Sequence, residues 1–227
     1  MSARTIGCIV PALDAELTIA AVIDGIRHAL PDAFIVAVDD GSRDATSRVA
    51  RASADETVRF PVNRGKGAAL RAGISEALAR GCDRLVTIDA DGQHDPRFAP
   101  QFIETLETAD LVVGARRAAG PMPLGRRITN RLSARAVGRC VGQPIADAQC
   151  GFRAMRAPLA RHVRPRADRY EYETEFLILA ARSGYRLAFV PIPTAYPGAV
   201  PSRFRAIRDS ARIIETIWRF RTGARAS

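Results

Sequence analysis

The sequence contains no long hydrophobic run, although 47% of its 227 residues are hydrophobic. No uninterrupted apolar stretch approaches the ~18 residues that a membrane-spanning helix requires. The short apolar segment 6–10 runs directly into Pro11 and the acidic residues Asp14 and Glu16, unlike the apolar region of a secretory signal peptide. We therefore expect a cytoplasmic protein that does not cross a bilayer by itself.

Cysteine is scarce, and its spacing matches neither a zinc site nor a disulfide scaffold. The four cysteines form no C-x-x-C pair and lie mostly inside apolar segments, which is typical of buried reduced thiols. They are Cys8, Cys82, Cys140 and Cys150. The chain is long enough to bury a sizeable core without such cross-links.

Lysine is almost absent, and acidic residues are missing from one long segment. Lys66 is the only lysine, yet the formal net charge is +10. Residues 111–146 contain seven arginines and no acidic residue, and residues 201–227 contain seven arginines against Asp209 and Glu215. This concentration of positive charge indicates an anionic partner, which can be a phosphorylated substrate, a lipid surface or nucleic acid. Because the arginines lack interleaved aromatic residues and no reader motif is present, we expect no nucleic-acid partner.

Apolar runs of strand-like composition alternate with helical patterns in the first half of the chain. Strands are expected at 6–10, 34–38, 57–60, 85–88 and 111–113, and helices at 17–30, 44–52, 67–80 and 96–106. This βαβ rhythm predicts a mostly parallel sheet flanked by helices. In the second half we expect a basic amphipathic helix ending at Val141, a helix at 173–182, a strand at 187–190 and a terminal helix from about Ser202.

Polar residues cluster where the predicted strands end. Ligands of open α/β sheets bind beyond the carboxyl ends of the strands. The clusters lie at 11–16, 39–42, 63–67 and 89–93. Each one alone fits a turn or a helix N-cap. Taken together, the carboxylates of these clusters and the Gly-Lys-Gly sequence exceed what capping needs, so we expect a ligand site at this sheet edge.

The carboxylates of Asp89 and Asp91 flank a single residue at the end of the fourth predicted strand. Two oxygen ligands at this spacing suit Mg²⁺ or Mn²⁺, which bind one or two carboxylates together with substrate phosphates and water. Gln93 can add a carbonyl oxygen. For His94 we favour a surface turn residue over a direct ligand, with a place beside the ligands as the alternative.

Together these motifs resemble the family 2 glycosyltransferases of GT-A fold, most closely the dolichyl- and polyprenyl-phosphate sugar synthases. The matches are I-V-P-x-x-x-x-E at Pro11 and Glu16, V-D-D-G-S at Asp39 and Asp40, N-x-G-K-G at Lys66, D-A-D-x-Q at Asp89, Asp91 and Gln93, G-x-R at Arg116, and D-x-x-x-G-F-R starting at Asp147. The resemblance implies a Rossmann-like GT-A domain, which we place at residues 1–200, and the residue pattern predicts a basic amphipathic helix at 201–227.

The resemblance also implies roles for individual residues. Pro11 and Glu16 would line the nucleotide pocket, and Asp39 would contact the base or ribose of the donor. Other expected substrate-binding residues are Asp40, Lys66, Arg116, Gln149 and Glu175, with Arg117 and Arg131 as candidates to hold an acceptor phosphate.

The implied activity is inverting, metal-dependent transfer of a hexose from UDP- or GDP-hexose to a polyprenyl phosphate at the cytoplasmic membrane face. Mg²⁺ or Mn²⁺ at Asp91 would act as the Lewis acid, with Arg203 as a candidate second cation. A lipid phosphate is ionised at pH 7 and needs no base. The alternative is a hydroxyl acceptor on a glycolipid or soluble molecule, for which Asp147 or Glu175 would be the base. Asp147 can instead hold the turn at 149–153.

Two predicted helices carry apolar rows beside arginines. The first row is Ile128, Leu132, Ala136 and Cys140, next to Arg127, Arg131, Arg135 and Arg139. The second is Phe204, Ile207, Ala211, Ile214 and Trp218. Such rows face a core, a homodimer seam or a membrane surface. With the family resemblance, we favour peripheral binding to an anionic membrane, and a homodimer remains an alternative.

Overall fold

The computed structural model describes residues 5–118, 124–194 and 206–221, with side chains at 5–116, 130–193 and 212–220. The strands are β1 (Ile6–Ala12), β2 (Phe34–Asp39), β3 (Glu56–Arg59), β4 (Arg84–Thr87), β5 (Leu111–Ala118), β6 (Arg153–Arg156) and β7 (Leu187–Thr194). The helices are α1 (Ile19–Ala29), α2 (Thr46–Ser53), α3 (Lys66–Ala79), α4 (Ala99–Thr105), α5 (Leu124–Val141), α6 (Ala157–His162), α7 (Glu171–Arg182) and α8 (Ala206–Arg221). A short 3-10 helix spans Pro96–Phe98.

The strands of the described ranges form one sheet in the order β3-β2-β1-β4-β6-β5-β7. The first four strands pair in parallel, as do β5 and β7, whereas β6 runs antiparallel between β4 and β5. Ala12 lies opposite Asp39, so β1 and β2 end at the same edge. The predicted α/β architecture with a mostly parallel, helix-flanked sheet is confirmed.

The first two strands are buried along nearly their whole length. Cys8, Ile9 and Val10 of β1 have no exposed surface, and the same holds for residues 35–38 of β2. Strands covered on both faces are continuously apolar, which is why the pattern located them to within a few residues. The four cysteines are free, and three of them are buried, as predicted.

Strand β6 has no sequence signal, because its four residues Arg-Ala-Met-Arg contain no apolar run. Arg153 is nevertheless only 2% exposed. Its guanidinium donates hydrogen bonds to the backbone carbonyls of Cys150, Ala148 and Glu173. These bonds satisfy the buried charged group, so an arginine takes a core position in the sheet.

Helix α8 packs against α7 and α5 through Ile213, Ile217 and Phe220, each at most 7% exposed. The apolar row predicted through Ile214 and Trp218 faces outward, and both side chains are 65% exposed. A second apolar row at helical spacing runs beside the predicted one, and that second row faces the core. Residues 201–205 and the side chains of Ile207 and Ala211 lie outside the described part, and the domain boundary at residue 200 remains a prediction.

Helix α5 ends at Val141, as predicted. Leu132 of its apolar row is 58% exposed, while Ala136 and Cys140 are half-buried. Arg131, Arg135 and Arg139 are exposed; the side chains of Arg127 and Ile128 are outside the described part. Among the described residues, no helix combines the length and the apolarity that a bilayer crossing needs.

Candidate active site at the carboxyl edge of the sheet

The loops after β1 and β2 are joined by side-chain hydrogen bonds. The Asp14 N–H donates to Ser42 Oγ at 2.9 Å, and the Arg43 N–H donates to Asp14 Oδ1 at 2.9 Å. The exposed Glu16 accepts a hydrogen bond from the Ala45 N–H at 2.8 Å, at the start of α2. Glu16 therefore fixes the entrance to α2, while its exposure keeps it accessible to a ligand.

Asp39 is the last residue of β2 and Asp40 follows it, and the two carboxylates have different partners. The fully buried Asp39 accepts a hydrogen bond from the Ser42 N–H at 2.8 Å, and its other oxygen is 3.4 Å from Arg59 Nε. Asp40 accepts hydrogen bonds from the backbone of Arg64 and Gly65. Burial raises the pKa of Asp40 despite these bonds. Asp40 thus positions the loop that leads to Lys66, and Asp39 lies at the carboxyl edge of the sheet.

Pro11, which was predicted to line the nucleotide pocket, is buried in β1 opposite Val38.

Lys66 begins α3 and reaches two carboxylates. Its Nζ is 2.7 Å and 2.8 Å from the two oxygens of Asp89, and 2.5 Å from Glu173 Oε1. Burial by itself lowers the pKa of Lys66, but the two carboxylates outweigh burial and hold that pKa above its usual value. The same ammonium holds the pKa of Asp89 below its usual value, against the effect of burial. Lys66 is therefore a permanent cation at this edge.

Asp91 lies beside Asp89 and is electrostatically strained. Burial, followed by the negative charge of Asp89, raises the pKa of Asp91 to about 6. Asp91 Oδ1 accepts a hydrogen bond from the Gln93 N–H at 3.0 Å, and the Gln93 side chain is half-buried. Two crowded carboxylates with a nearby amide form a hard-oxygen donor set that fits Mg²⁺ or Mn²⁺.

The described residues contain no group of three His, Cys, Asp or Glu side chains arranged to hold a metal. A magnesium-type site needs only two carboxylates, which substrate phosphates and water complete. Gly151 approaches this pair closely, since a Cβ there would lie 2.8 Å from Asp89 Cγ and nearer still to Oδ2. Only a glycine leaves room for Asp89 at this point.

The expectation that His94 is a surface turn residue is wrong. His94 is 5% exposed, with Nε2 3.8 Å from Cys150 Sγ and its ring 6.0 Å from that of Phe152. Burial lowers the pKa of His94 to about 4, so the ring is neutral near pH 7. The ring also interacts electrostatically with Asp89, which matches the alternative of a place beside the ligands.

Arg116 and Asp147 form a buried bidentate ion pair. Arg116 Nε is 2.7 Å from Asp147 Oδ2, and a terminal nitrogen is 3.0 Å from Oδ1. Asp147 Oδ1 also accepts hydrogen bonds from the N–H groups of Gln149 and Cys150. Arg116 holds the pKa of Asp147 below its usual value, although burial opposes this. These contacts favour the turn-holding role of Asp147, since a lowered pKa weakens a general base.

Three other predicted site residues, Glu175, Gln149 and Arg131, have their described contacts or exposure elsewhere in the fold. Glu175 accepts hydrogen bonds from the N–H groups of Arg166 and Ala167 and pairs with Arg219 at 3.0 Å, so it joins α7 to α8. Gln149 donates to Ser133 Oγ on α5 at 3.1 Å, and Arg131 is exposed on α5. The side chain of Arg117 and the whole of Arg203 lie outside the described part.

Sequence reasoning missed Glu173, which contacts Lys66. It belongs to the acidic run Glu171, Glu173 and Glu175 at the start of α7. Acidic residues are common at helix N-termini because they complement the helix dipole, so the pattern gave no reason to single out one of them. The 3% exposure of its side chain distinguishes Glu173 only once the fold is known.

Comparison with known proteins places this geometry in a family. Residues 8–164 match the family model described as glycosyl transferase family 2. The chain is 32% identical over 196 residues to undecaprenyl-phosphate mannosyltransferase of Micrococcus luteus, covering 81% of each chain. It is 30% identical over 198 residues to polyprenol monophosphomannose synthase of Mycolicibacterium smegmatis, covering 81% of this chain and 75% of the other.

A solved structure shows the same architecture. Glucosyl-3-phosphoglycerate synthase of Mycobacterium tuberculosis, in complex with Mn²⁺ and UDP-glucose, aligns with a TM-score of 0.77 and 28% identity. The alignment covers 96% of this chain and 79% of that one. With the family match and the carboxylates and lysine at the sheet edge, we conclude that this chain is a glycosyltransferase of GT-A fold that belongs to glycosyl transferase family 2.

Proposed function

We propose that the protein transfers a hexose, with inversion, from UDP- or GDP-hexose to a polyprenyl phosphate. The observation that carries the proposal is the convergence of Asp89, Asp91 and Lys66 at the carboxyl edge of a parallel sheet. The similarity to undecaprenyl-phosphate mannosyltransferase and polyprenol monophosphomannose synthase supports the acceptor class.

Asp89, Asp91 and Gln93 are the residues proposed to hold Mg²⁺ or Mn²⁺. A bound divalent cation supplies Lewis-acid stabilisation of the negative charge that develops on the diphosphate leaving group. The half-buried Lys66 orients Asp89, and Asp39 is proposed to contact the nucleoside of the donor. Arg203 is proposed as a second cation near the diphosphate, and Arg117 and Arg131 as contacts of the acceptor phosphate.

The acceptor class determines whether the enzyme needs a general base. A polyprenyl phosphate carries its own nucleophilic oxyanion at pH 7, so the protein has only to position it. The lowered pKa and four-fold hydrogen bonding of Asp147 are consistent with this. We propose that Asp147 keeps the turn at 149–153 in place rather than removing a proton.

Asp147→Asn tests this assignment. We expect transfer to polyprenyl phosphate to stay within about tenfold of the parent rate, because asparagine keeps an oxygen for the Gln149 and Cys150 N–H groups, whereas loss of a general base costs about 10²–10⁴-fold. Initial rates with a radiolabelled donor measure the effect, and thermal unfolding controls for the broken ion pair with Arg116. A loss of 10³-fold in a folded variant contradicts the assignment.

The function itself is tested with radiolabelled UDP-glucose, UDP-N-acetylglucosamine and GDP-mannose, each supplied with polyprenyl phosphate and Mn²⁺ or Mg²⁺. We expect organic-extractable labelled product with at least one donor, and none when EDTA replaces the cation. Asp91→Asn provides the inactive control. If every donor fails with the lipid acceptor, the polyprenyl phosphate assignment is wrong.

A hydroxyl acceptor is the second candidate. The structural similarity to glucosyl-3-phosphoglycerate synthase, solved in complex with glucosyl-3-phosphoglycerate, supports this candidate. A soluble or glycolipid hydroxyl would then replace the lipid phosphate at the same edge. Water-soluble labelled product formed with 3-phosphoglycerate, or product formed on a glycolipid, in the absence of polyprenyl phosphate would select this alternative.

We further propose that the protein binds peripherally to the anionic cytoplasmic membrane face. Ile214 and Trp218 are one helical turn apart on α8 and are both 65% exposed. An exposed apolar pair with nearby arginines suits the interface of an anionic bilayer. Ile214→Ser/Trp218→Ser is expected to lower the affinity for vesicles of anionic lipid by at least about tenfold, since each buried side chain contributes ~1.5–3 kcal/mol.

Vesicle co-sedimentation measures this change. Val62→Ser is the matched control, because Val62 is equally exposed, at 65%, on another part of the surface. Unchanged vesicle binding in the double variant would contradict the membrane surface. If analytical ultracentrifugation instead shows a homodimeric parent and a monomeric double variant, the exposed row is a dimer interface.

A further inference from the structure

The Lys66 ammonium lies between two carboxylates that belong to different parts of the chain. Its Nζ is 2.7 Å from Asp89 Oδ1 in the loop after β4 and 2.5 Å from Glu173 Oε1 in α7. The side chains are 15% exposed for Lys66, 21% for Asp89 and 3% for Glu173. One cation is thus shared by a proposed metal ligand and by a carboxylate to which no role has been given.

The burial of Glu173 needs an explanation. A carboxylate in the first turn of a helix is usually solvated and favoured by the helix dipole. Glu173 Oε2 accepts no hydrogen bond from any described residue. The adjacent Arg153 guanidinium donates to the backbone carbonyls of Cys150, Ala148 and Glu173 rather than to the Glu173 carboxylate. Burying a charge in this way is costly unless a counter-ion compensates it, and Lys66 is that counter-ion.

The charges around Asp89 show how Glu173 affects the attraction between Lys66 and Asp89. The described charged groups here are the carboxylates Asp89, Asp91, Asp147 and Glu173 and the cations Lys66, Arg116 and Arg153. Arg116 forms an ion pair with Asp147, and Lys66 is the cation with described contacts to both Asp89 and Glu173. Any metal ion that binds Asp89 competes with this ammonium for the same oxygens. A second carboxylate on the ammonium weakens its attraction to Asp89.

We propose that Glu173 is a positioning residue for the divalent cation. By sharing the Lys66 ammonium, Glu173 loosens the hold of Lys66 on Asp89 and leaves the Asp89 oxygens able to bind Mg²⁺ or Mn²⁺. This inference rests on the proposed function, because it requires the cation to bind at Asp89 and Asp91. It adds a residue outside the D-A-D-x-Q motif to the determinants of metal affinity.

The test measures Mn²⁺ binding directly, by electron paramagnetic resonance of free Mn²⁺ in the presence of UDP. Glu173→Gln is expected to bind Mn²⁺ about 10–100-fold more weakly than the parent, the usual cost of removing a group that orients a metal ligand. Glu171→Gln is the matched control: it removes the same charge from the same turn of α7 and should bind as the parent does. Glu173→Asp keeps the charge, should recover most of the affinity, and supplies the comparison if Glu173→Gln does not fold.

A Lys66→Met background separates an effect through Lys66 from a direct effect of the Glu173 charge. Without the ammonium, Glu173 has no cation to share with Asp89, so adding Glu173→Gln should weaken Mn²⁺ binding much less than it does in the parent. Equal weakening in both backgrounds would overturn the proposal. Parent-like binding by Glu173→Gln would overturn it while leaving the proposed function intact. A parent protein that binds no Mn²⁺ with UDP would overturn both.

Discussion

Asp91→Asn is expected to abolish sugar transfer and, at the same time, to raise the melting temperature of the protein. Activity should fall by roughly 10³-fold or more, since removing even one group that stabilises developing charge costs about 10²–10³-fold. Stability should rise because burial and the charge of Asp89 disfavour ionised Asp91, whose pKa is raised to about 6. Asparagine removes that repulsion and keeps an oxygen for the Gln93 N–H.

The size and pH dependence of the stability gain follow from the pKa shift. A carboxyl pKa raised from about 3.9 in the unfolded chain to about 6 lowers stability by about 3 kcal/mol well above pH 6. For a chain of this length that corresponds to roughly 6–12 °C in melting temperature. The stability advantage of Asp91→Asn over the parent should shrink as the pH falls below 6. It should vanish below about 4, where the Asp91 carboxyl is protonated in both the folded and the unfolded parent.

Calorimetry in EDTA at pH 7.5 and pH 4 checks this prediction. Adding Mn²⁺ and UDP should reverse the order of stabilities, because ligands that bind only the native parent stabilise it by mass action. A variant that melts below the parent in EDTA at pH 7.5 would show that Asp91 is not strained. Substantial remaining activity would remove Asp91 from the proposed metal site.

Gly151→Ala is expected to cause the second largest effect. The new Cβ would overlap the Asp89 carboxylate, and the Asp89 side chain would have to leave its contact with Lys66. Misplacing a reactive group by about 1 Å costs roughly 10²-fold in rate, and we expect a loss of at least this size together with weaker Mn²⁺ binding. Overpacking should also lower stability by about 1–3 kcal/mol.

Gly73→Ala is the control for overpacking alone. A Cβ at Gly73 would meet Ile9 Cγ2 at 2.5 Å, inside the core and away from Asp89. This variant should lose comparable stability but bind Mn²⁺ with parental affinity. Parental Mn²⁺ affinity in Gly151→Ala as well would mean that Asp89 adjusts without cost, contrary to the geometry described here.

The sequence is informative where burial and motif spacing are local. Strands buried on both faces produce continuous apolar runs, so β1 and β2 were predictable, and the D-A-D-x-Q spacing located Asp89 and Asp91 without a fold. Strand β6 was not predictable, because Arg153 occupies a core position through hydrogen bonds to carbonyls that come from three places in the chain.

Roles that depend on tertiary contacts could not be predicted. Glu173 and Glu175 are two residues apart in an acidic run, yet Glu173 pairs with Lys66 and Glu175 with Arg219. His94 precedes an Asp-Pro turn and has the surroundings of a surface residue, but it is buried against Phe152. On α8, two neighbouring apolar rows satisfy the same helical spacing, and only the packing against α7 and α5 selects between them.

The antiparallel insertion of β6 has a consequence for how the protein folds. Thr87 at the end of β4 bonds to the Gly151 carbonyl, 64 positions away along the chain, and β4 pairs with β6 directly afterwards. Contacts this distant in sequence form only after a large loss of chain entropy, and they slow folding. A nascent chain that has completed β1 to β4 therefore still lacks the antiparallel neighbour of β4 and the close approach of Gly151 to Asp89, which form only once the segment through Arg156 has left the ribosome.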